Sequence, residues 1–212
     1  MTIFTDIFNI WQQQHFAMRT VEHLKLFFFA ISISVVVGVS LGFLLTQIDS
    51  ISTYFFNILN IIETTPTLAL LVLLIPLVGI GTAPTIIASV MYCILPIARN
   101  TYEGLVNVDP NYISTARAIG LSDLEILLKV RLPLSFPFIA AGIRIASVFT
   151  FGIVTIGGLI AAGGLGQILQ VGFYRQNTQL VLVAGLWIGF LAILVDSLLS
   201  FLQNYLERRF AA

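Results

Sequence analysis

The clearest signal along the chain is the length of its uncharged stretches. Leu26 to Thr46 reads LFFFAISISVVVGVSLGFLLT, and no charged residue lies between Lys25 and Asp49. A helix crossing a bilayer needs about 20 apolar residues, so a first span is predicted over 26–46. Gly38, Ser40 and Gly42 on its neighbouring turns are small enough to let another helix approach closely in lipid. The next uncharged run, Thr64 to Ala98, is too long for one crossing, and its middle, PLVGIGTAP over 76–84, is rich in turn formers. It divides into spans at about 54–75 and 84–99. Pro133 to Gly157 and Leu180 to Leu202 supply two more. Between these lies GGLIAAGGLG over 157–166, too glycine-rich for a straight helix. It suits a re-entrant scoop or an outer loop, and it is where a sixth crossing would have to form. The pattern predicts an all-α integral membrane protein, a single transmembrane domain over 1–212 with about five spans.

Composition agrees with the pattern. The chain is 58% hydrophobic and 9% charged, where a soluble domain carries about 25% charged residues, and its mean hydropathy is +1.01. Zero net charge offers no basic field for nucleic acid. The single cysteine, Cys93, lies in an apolar run and reads as a buried small hydrophobe with no internal disulfide partner. Residues 1–23 mix Asp6, Trp11, Gln12, Arg19 and Glu22 without the basic start of a cleaved signal, so the first apolar run is kept as a span. Six cations, Arg99, Arg117, Lys129, Arg131, Arg208 and Arg209, fall on the side of the 103–132 loop and the C-terminal tail, against Arg19, Lys25 and Arg175 on the other. That bias puts the loop and the C-terminus in the cytoplasm and the N-terminus outside.

One segment breaks the apolar pattern. ISTARAIGLSDLEILLKVRLP, over 113–133, holds Arg117, Asp123, Glu125, Lys129 and Arg131. Asp109-Pro110 opens a helix as N-cap and first-turn proline, and Gly120 suits a left-handed stop. Ser122 as N-cap with Glu125 three residues on makes a capping box. Asp123 then sits at the positive end of a second helix, Lys129 and Arg131 sit at its negative end, and Pro133 is expected to end it. Leu124, Leu127, Leu128 and Val130 need cover, either from the protein's own spans or from a soluble partner.

Charges inside the spans form a second class of candidates. A charge at the bilayer centre costs about 2.5–3.5 kcal/mol on insertion scales, so such groups pair, face the interior or line water. Arg144 reads as the partner of Asp196 or of Glu63, or as a pathway residue. Asp196 lies toward the cytoplasmic end of its span, where snorkelling or capping would suffice. In Glu63-Thr64-Thr65-Pro66 the proline frees backbone carbonyls near mid-span. Thr64 and Thr65 can satisfy those carbonyls, or the segment can wall a translocation pathway with Glu63 as its negative charge. His15 and His23 lie near the N-terminus, outside the predicted spans. No metal-ligand spacing, no Ser-His-Asp set and no phosphate-binding Gly-Lys-Ser/Thr loop is visible. No cofactor or metal is expected, and any ATP hydrolysis belongs to another polypeptide.

The spacing from Gly120 to Val130-Arg-Leu-Pro133 resembles the cytoplasmic Glu-Ala-Ala loop of permease subunits in ABC importers, with Ser114-Thr115-Ala116 standing where Glu-Ala-Ala would be. Other stretches, IETTPTLA over 62–69, IPLVGIG over 75–81, ILPIARNTY over 94–102, AAGIR over 140–144 and AGGLG over 162–166, are similar to the permeases of osmoprotectant importers, from about residue 20 to 205. The resemblance implies a type I ABC importer permease fold and a substrate such as glycine betaine, carnitine or choline. It makes Ala116, Arg117, Gly120, Leu121, Ser122, Asp123, Leu124 and Glu125 the residues that couple to an ATP-binding subunit. Glu63, Thr64, Thr65, Pro66 and Arg144 remain pathway candidates on their own chemistry, with Glu63 facing the quaternary ammonium that the resemblance implies. The resemblance also favours a place near the external mouth for the 157–166 region, with Gly163 and Gly164 as candidates for an outer gate. It further implies a second permease subunit, identical or paralogous, and an extracellular or periplasmic binding protein, all in a bacterial cell membrane. A methionine-type importer permease and a stand-alone secondary transporter are the competing readings. The latter predicts inverted repeats, and none is seen.

Overall fold

The computed structural model describes residues 9–210, so Asp6 lies outside the described residues. In chain order the helices are α1 (Phe16–Gln47), α2 (Asp49–Thr64), α3 (Thr67–Val78), α4 (Thr82–Val106), α5 (Pro110–Ala118), α6 (Asp123–Ile126), α7 (Leu132–Gly157), α8 (Gly164–Tyr174) and α9 (Thr178–Phe210). A π turn, Leu127–Arg131, joins α6 to α7, and a 3-10 turn, Gly158–Ile160, follows α7. No strand occurs among the described residues.

The architecture is a helical bundle built around α4. The apolar stretch of α4 is 56% buried, whereas that of α9 is 11% buried and presents its outer face as a lipid-facing helix would. Lipid is as apolar as leucine, so helix association here depends on close contact more than on removal of apolar surface from water. The α1–α4 contact illustrates this. A Cβ at Gly42 would stand 2.5 Å from the Ala98 carbonyl oxygen and 2.6 Å from the Thr101 Cβ. Gly38 meets Ile97 in the same way one turn earlier, while Ser40 points outward. From the other side Ala146 and Phe151 of α7 close the core over Cys93 and Ile97. The Cys93 Sγ lies 3.0 Å from the Thr150 hydroxyl and 3.2 Å from the Ala146 carbonyl.

Four helices among the described residues are long and apolar enough to cross a membrane, and the bent pair α2–α3 can make a fifth. That pair corrects the expectation of one continuous span over 54–75. The chain turns by 95° between its two parts. Pro66 has no N–H for the helical ladder and its ring crowds the preceding turn, so α2 stops at Thr64 and α3 restarts beyond it. A second correction concerns Pro133, expected to end the charged helix. The helix instead runs on into α7. At the π turn the Leu132 N–H reaches back five residues to the Leu127 carbonyl, and this widened turn lets a helix absorb a residue that cannot donate. The expected 103–132 loop is therefore helical at both ends, continuous with α4 at its start and with α7 at its finish. At 11 residues α8 is about 16 Å long, too short to be a sixth crossing.

Candidate functional site

The charged segment forms an elbow. Asp109 caps α5, its Oδ1 accepting from the Asn111 N–H at 2.8 Å. At the far end the Gly120 N–H donates to the Arg117 carbonyl at 2.9 Å and the Leu121 N–H to the Ala116 carbonyl at 3.1 Å. This paired bonding requires a left-handed residue at its centre, and Gly120 has φ +88°. Ser122 then opens α6 with the expected capping box: its Oγ accepts from the Glu125 N–H, and the Glu125 Oε2 accepts from the Ser122 N–H at 3.1 Å. Lys129 Nζ adds a 2.7 Å contact to the Glu125 Oε1. The Lys129 ammonium, with the Ser122 N–H and hydroxyl, pulls the Glu125 carboxyl down to about 2. Arg117 reaches Asp123 across the elbow at 3.1 Å, an exposed pair that orients the turn more than it stabilises it.

The apolar side chains of the elbow divide into two sets. Ala116 and Ile126 are buried and hold the elbow to its own chain, and Leu127 and Val130 are half-covered. Leu124 and Leu128 are 65% and 54% exposed, and Ile119, which the sequence pattern did not single out, is 74% exposed. Together they leave an exposed apolar patch on the charged segment.

The Glu63–Pro66 segment lies at the bend between α2 and α3. Thr64 and Thr65 both donate their hydroxyls to the Ile61 carbonyl, at 2.9 and 3.2 Å. The Ile62 carbonyl, which Pro66 cannot serve, accepts from the Thr65 N–H at 3.1 Å instead, so the end of α2 is re-satisfied locally. The Tyr92 hydroxyl of α4 donates to the Thr65 carbonyl and ties the bend to the central helix. Glu63 makes no ion pair or hydrogen bond among the described residues and lines a cavity of about 270 Å³ with Thr67, Tyr92 and Phe149. Tyr92 and Phe149 carry no polar pattern in the sequence, and only the fold brings them to Glu63.

Arg144 is not in that cavity. Its Nε donates to the Asp196 Oδ1 at 2.7 Å and its Nη2 to the Asp196 Oδ2 at 2.9 Å, a two-pronged pair across α7 and α9. Its Nη1 also reaches the Gln203 Oε1 at 3.4 Å. Of the pathway candidates only Glu63 lines the cavity; Thr64, Thr65 and Pro66 sit beside it at the bend, and Arg144 is engaged with a different helix.

Gly163 and Gly164 form a tight left-handed turn, φ +85° and +65°, that starts α8. The Gly164 N–H donates to the Glu22 Oε2 at 3.1 Å, and the same oxygen accepts from Arg19 at 2.8 Å. Beneath the turn lies His23, fully buried, with its ring 4.6 Å from that of Phe151 and neither nitrogen hydrogen-bonded. A Cβ at Gly164 would meet His23 at 3.2 Å. Trp187 of α9 donates to the Thr20 hydroxyl at 2.9 Å, so the start of α1 is tied to α9 as well as to α8. The polar residues preceding span one had suggested no such role.

A family model described as the binding-protein-dependent transport system inner membrane component matches residues 34–212. The chain belongs to that family. This transport-system membrane component is 35% identical to the choline transport system permease protein OpuBB of Bacillus subtilis (strain 168), over 89% of this chain and 87% of the relative. It is 33% identical to the carnitine transport permease protein OpuCB of Listeria monocytogenes, over 88% and 85%. It is 34% identical to the osmoprotectant import permease protein OsmW of Salmonella typhimurium, over 89% and 90%. Among solved structures it resembles an inward-facing form of the MetNI methionine ABC transporter, at 26% identity and a TM-score of 0.79, over 92% of this chain and 97% of that one. The fold of the family member described here is that of a type I ABC importer permease.

Proposed function

We propose that the chain is the permease subunit of an ATP-driven importer for osmoprotectants of the glycine betaine, carnitine and choline class. The observation that carries this is the near-full-length similarity to relatives named for choline, carnitine and osmoprotectant import. The elbow supports it, because Ile119, Leu124 and Leu128 offer uncovered apolar anchors with a charged rim, the composition of a docking surface. In this scheme the elbow seats on a cytoplasmic ATP-binding subunit and includes Ala116, Arg117, Gly120, Leu121, Ser122, Asp123 and Glu125. About five spans are too few to enclose a two-sided pathway, so a second permease copy or paralogue completes it. ATP-driven closure of two ATPases rotates the permeases and turns the cavity from inward to outward facing. A binding protein delivers substrate at the outer mouth, where Gly163 and Gly164 form the gate. The N-terminus lies outside and the C-terminus in the cytoplasm.

An uptake competition panel on the reconstituted complex, with glycine betaine, carnitine, choline, proline and methionine, tests the substrate. Quaternary ammonium compounds are expected to compete with one another and methionine not to. The likeness to a methionine transporter favours an amino-acid importer as the second reading, and methionine uptake that choline and glycine betaine leave untouched would establish it. Gly120→Arg and Leu124→Asp are each expected to abolish co-purification of the ATPase while leaving membrane insertion intact. Normal association and transport in both variants would overturn the docking assignment.

A further inference from the structure

The cavity at the α2–α3 bend contains a carboxylate with no ion-pair or hydrogen-bond partner among the described residues. Glu63 of α2, Thr67 of α3, Tyr92 of α4 and Phe149 with Gly152 of α7 meet around a space of about 270 Å³. That volume lies at the low end for ligand sites and suits a small head group more than a drug-sized molecule. No lysine, arginine or histidine is among the residues that line it. Arg144 is held by Asp196, and the Arg99 guanidinium lies over the Phe56 ring at 5.3 Å from its centre. The charge balance of the cavity is therefore left for a ligand to complete.

The lining decides which cation fits. A primary ammonium brings three N–H donors and a guanidinium five, and each needs an acceptor once water is stripped away. Apart from Glu63 the cavity offers the Thr67 hydroxyl, two aromatic rings and aliphatic surface. The Thr65 carbonyl nearby already accepts from Tyr92. A trimethylammonium group has no N–H to satisfy, spreads its charge over methyl groups and binds to aromatic faces. Such a group takes what the cavity provides and demands nothing it lacks.

We propose that this cavity is a station for the trimethylammonium head group of the substrate on its way through the membrane, with Glu63 as counter-charge and Tyr92 and Phe149 as aromatic walls. The assignment rests on the osmoprotectant reading above and adds the site within the permease. Tyr92 is a positioning residue as well as a wall, because its hydroxyl fixes the bend that sets the height of Glu63.

Uptake kinetics of choline and of glycine betaine by the complete reconstituted transporter test this, with Glu63→Gln and Phe149→Leu compared with the wild type. Glu63→Gln is expected to lower kcat/KM for choline about tenfold, the scale of one desolvated cation contact. The loss for glycine betaine is expected to be smaller, because its own carboxylate is repelled by Glu63 and that repulsion is relieved in the same variant. Phe149→Leu is expected to weaken both. Equal losses for the two substrates in Glu63→Gln would indicate a general packing defect and overturn the station, as would wild-type kinetics in both variants. Should Glu63→Gln fail to co-purify with the ATPase, Glu63→Asp and Phe149→Leu decide by the same comparison. If the wild type takes up neither compound, the osmoprotectant reading falls and the station with it. If the wild type takes up both and the variants match it, the station alone falls.

Discussion

A methyl group added at Gly120 would meet nothing within 4 Å. The cost of Gly120→Ala is therefore carried by the backbone, which a side chain must enter at φ +88°. About 1–2 kcal/mol of local destabilisation is expected, and less for Gly120→Asn, since asparagine tolerates that conformation. Amide-exchange protection across Ile119–Asp123 measures both. The Arg144–Asp196 pair is a different kind of contact. Its side chains are 34% and 35% exposed, between the exposed limit where ion pairs contribute little and the buried limit where breaking one costs several kcal/mol. Asp196→Asn is expected to destabilise the chain by about 1–3 kcal/mol. The double variant with Arg144→Gln should be less destabilised than the sum of the single variants, as a thermal-stability cycle in detergent would show.

At the scale of elements, the 161–166 turn depends on α1. Glu22 accepts from both the Gly164 N–H and Arg19. Glu22→Gln keeps the shape of the side chain but weakens both contacts, so the 161–166 turn is expected to become more open to exchange and to proteolysis while α1 and α8 stay folded. Most of the elements were legible in the sequence, and the reasons differ. The elbow is written in local chemistry, an Asp-Pro start, a glycine stop and a Ser-x-x-Glu box, so its caps follow from a few consecutive residues. The spans follow from apolar length alone. The break at Pro66 was visible as a proline, but its 95° angle depends on Tyr92 and α4 as much as on Pro66. The continuation past Pro133 was misread because a π turn leaves no mark in residue type. The Glu63 cavity was legible by one residue, since Tyr92 and Phe149 come to it from helices distant in sequence. Glu22 was read as ordinary polar N-terminal sequence, because its partner Gly164 lies far along the chain.

For the whole molecule, the proposed orientation is open to a direct check. Arg175 and Ser114 are both exposed, and the native Cys93 is buried. A membrane-impermeant thiol reagent is expected to label Arg175→Cys on intact cells, and Ser114→Cys only after the membrane is opened. The reverse pattern would invert the topology. The π turn also has a consequence for how motion crosses the bilayer. Because it bridges α6 and α7 without a break, one helix of 38 residues runs from Asp123 at the elbow to Ile160 beside the 161–166 turn, about 57 Å in length. Such a helix works as a crankshaft whose give is confined to the π turn, Pro133 and Pro137, where its hydrogen-bond ladder is interrupted. Deleting Val130 would restore ordinary winding and leave the elbow in nearly the same phase, because a π turn takes one residue more to wind through roughly the same angle as an α turn. The expected result is a complex that still couples ATP hydrolysis to uptake, whereas a residue inserted next to Val130 would twist the elbow by about 100° relative to the shaft and uncouple the two.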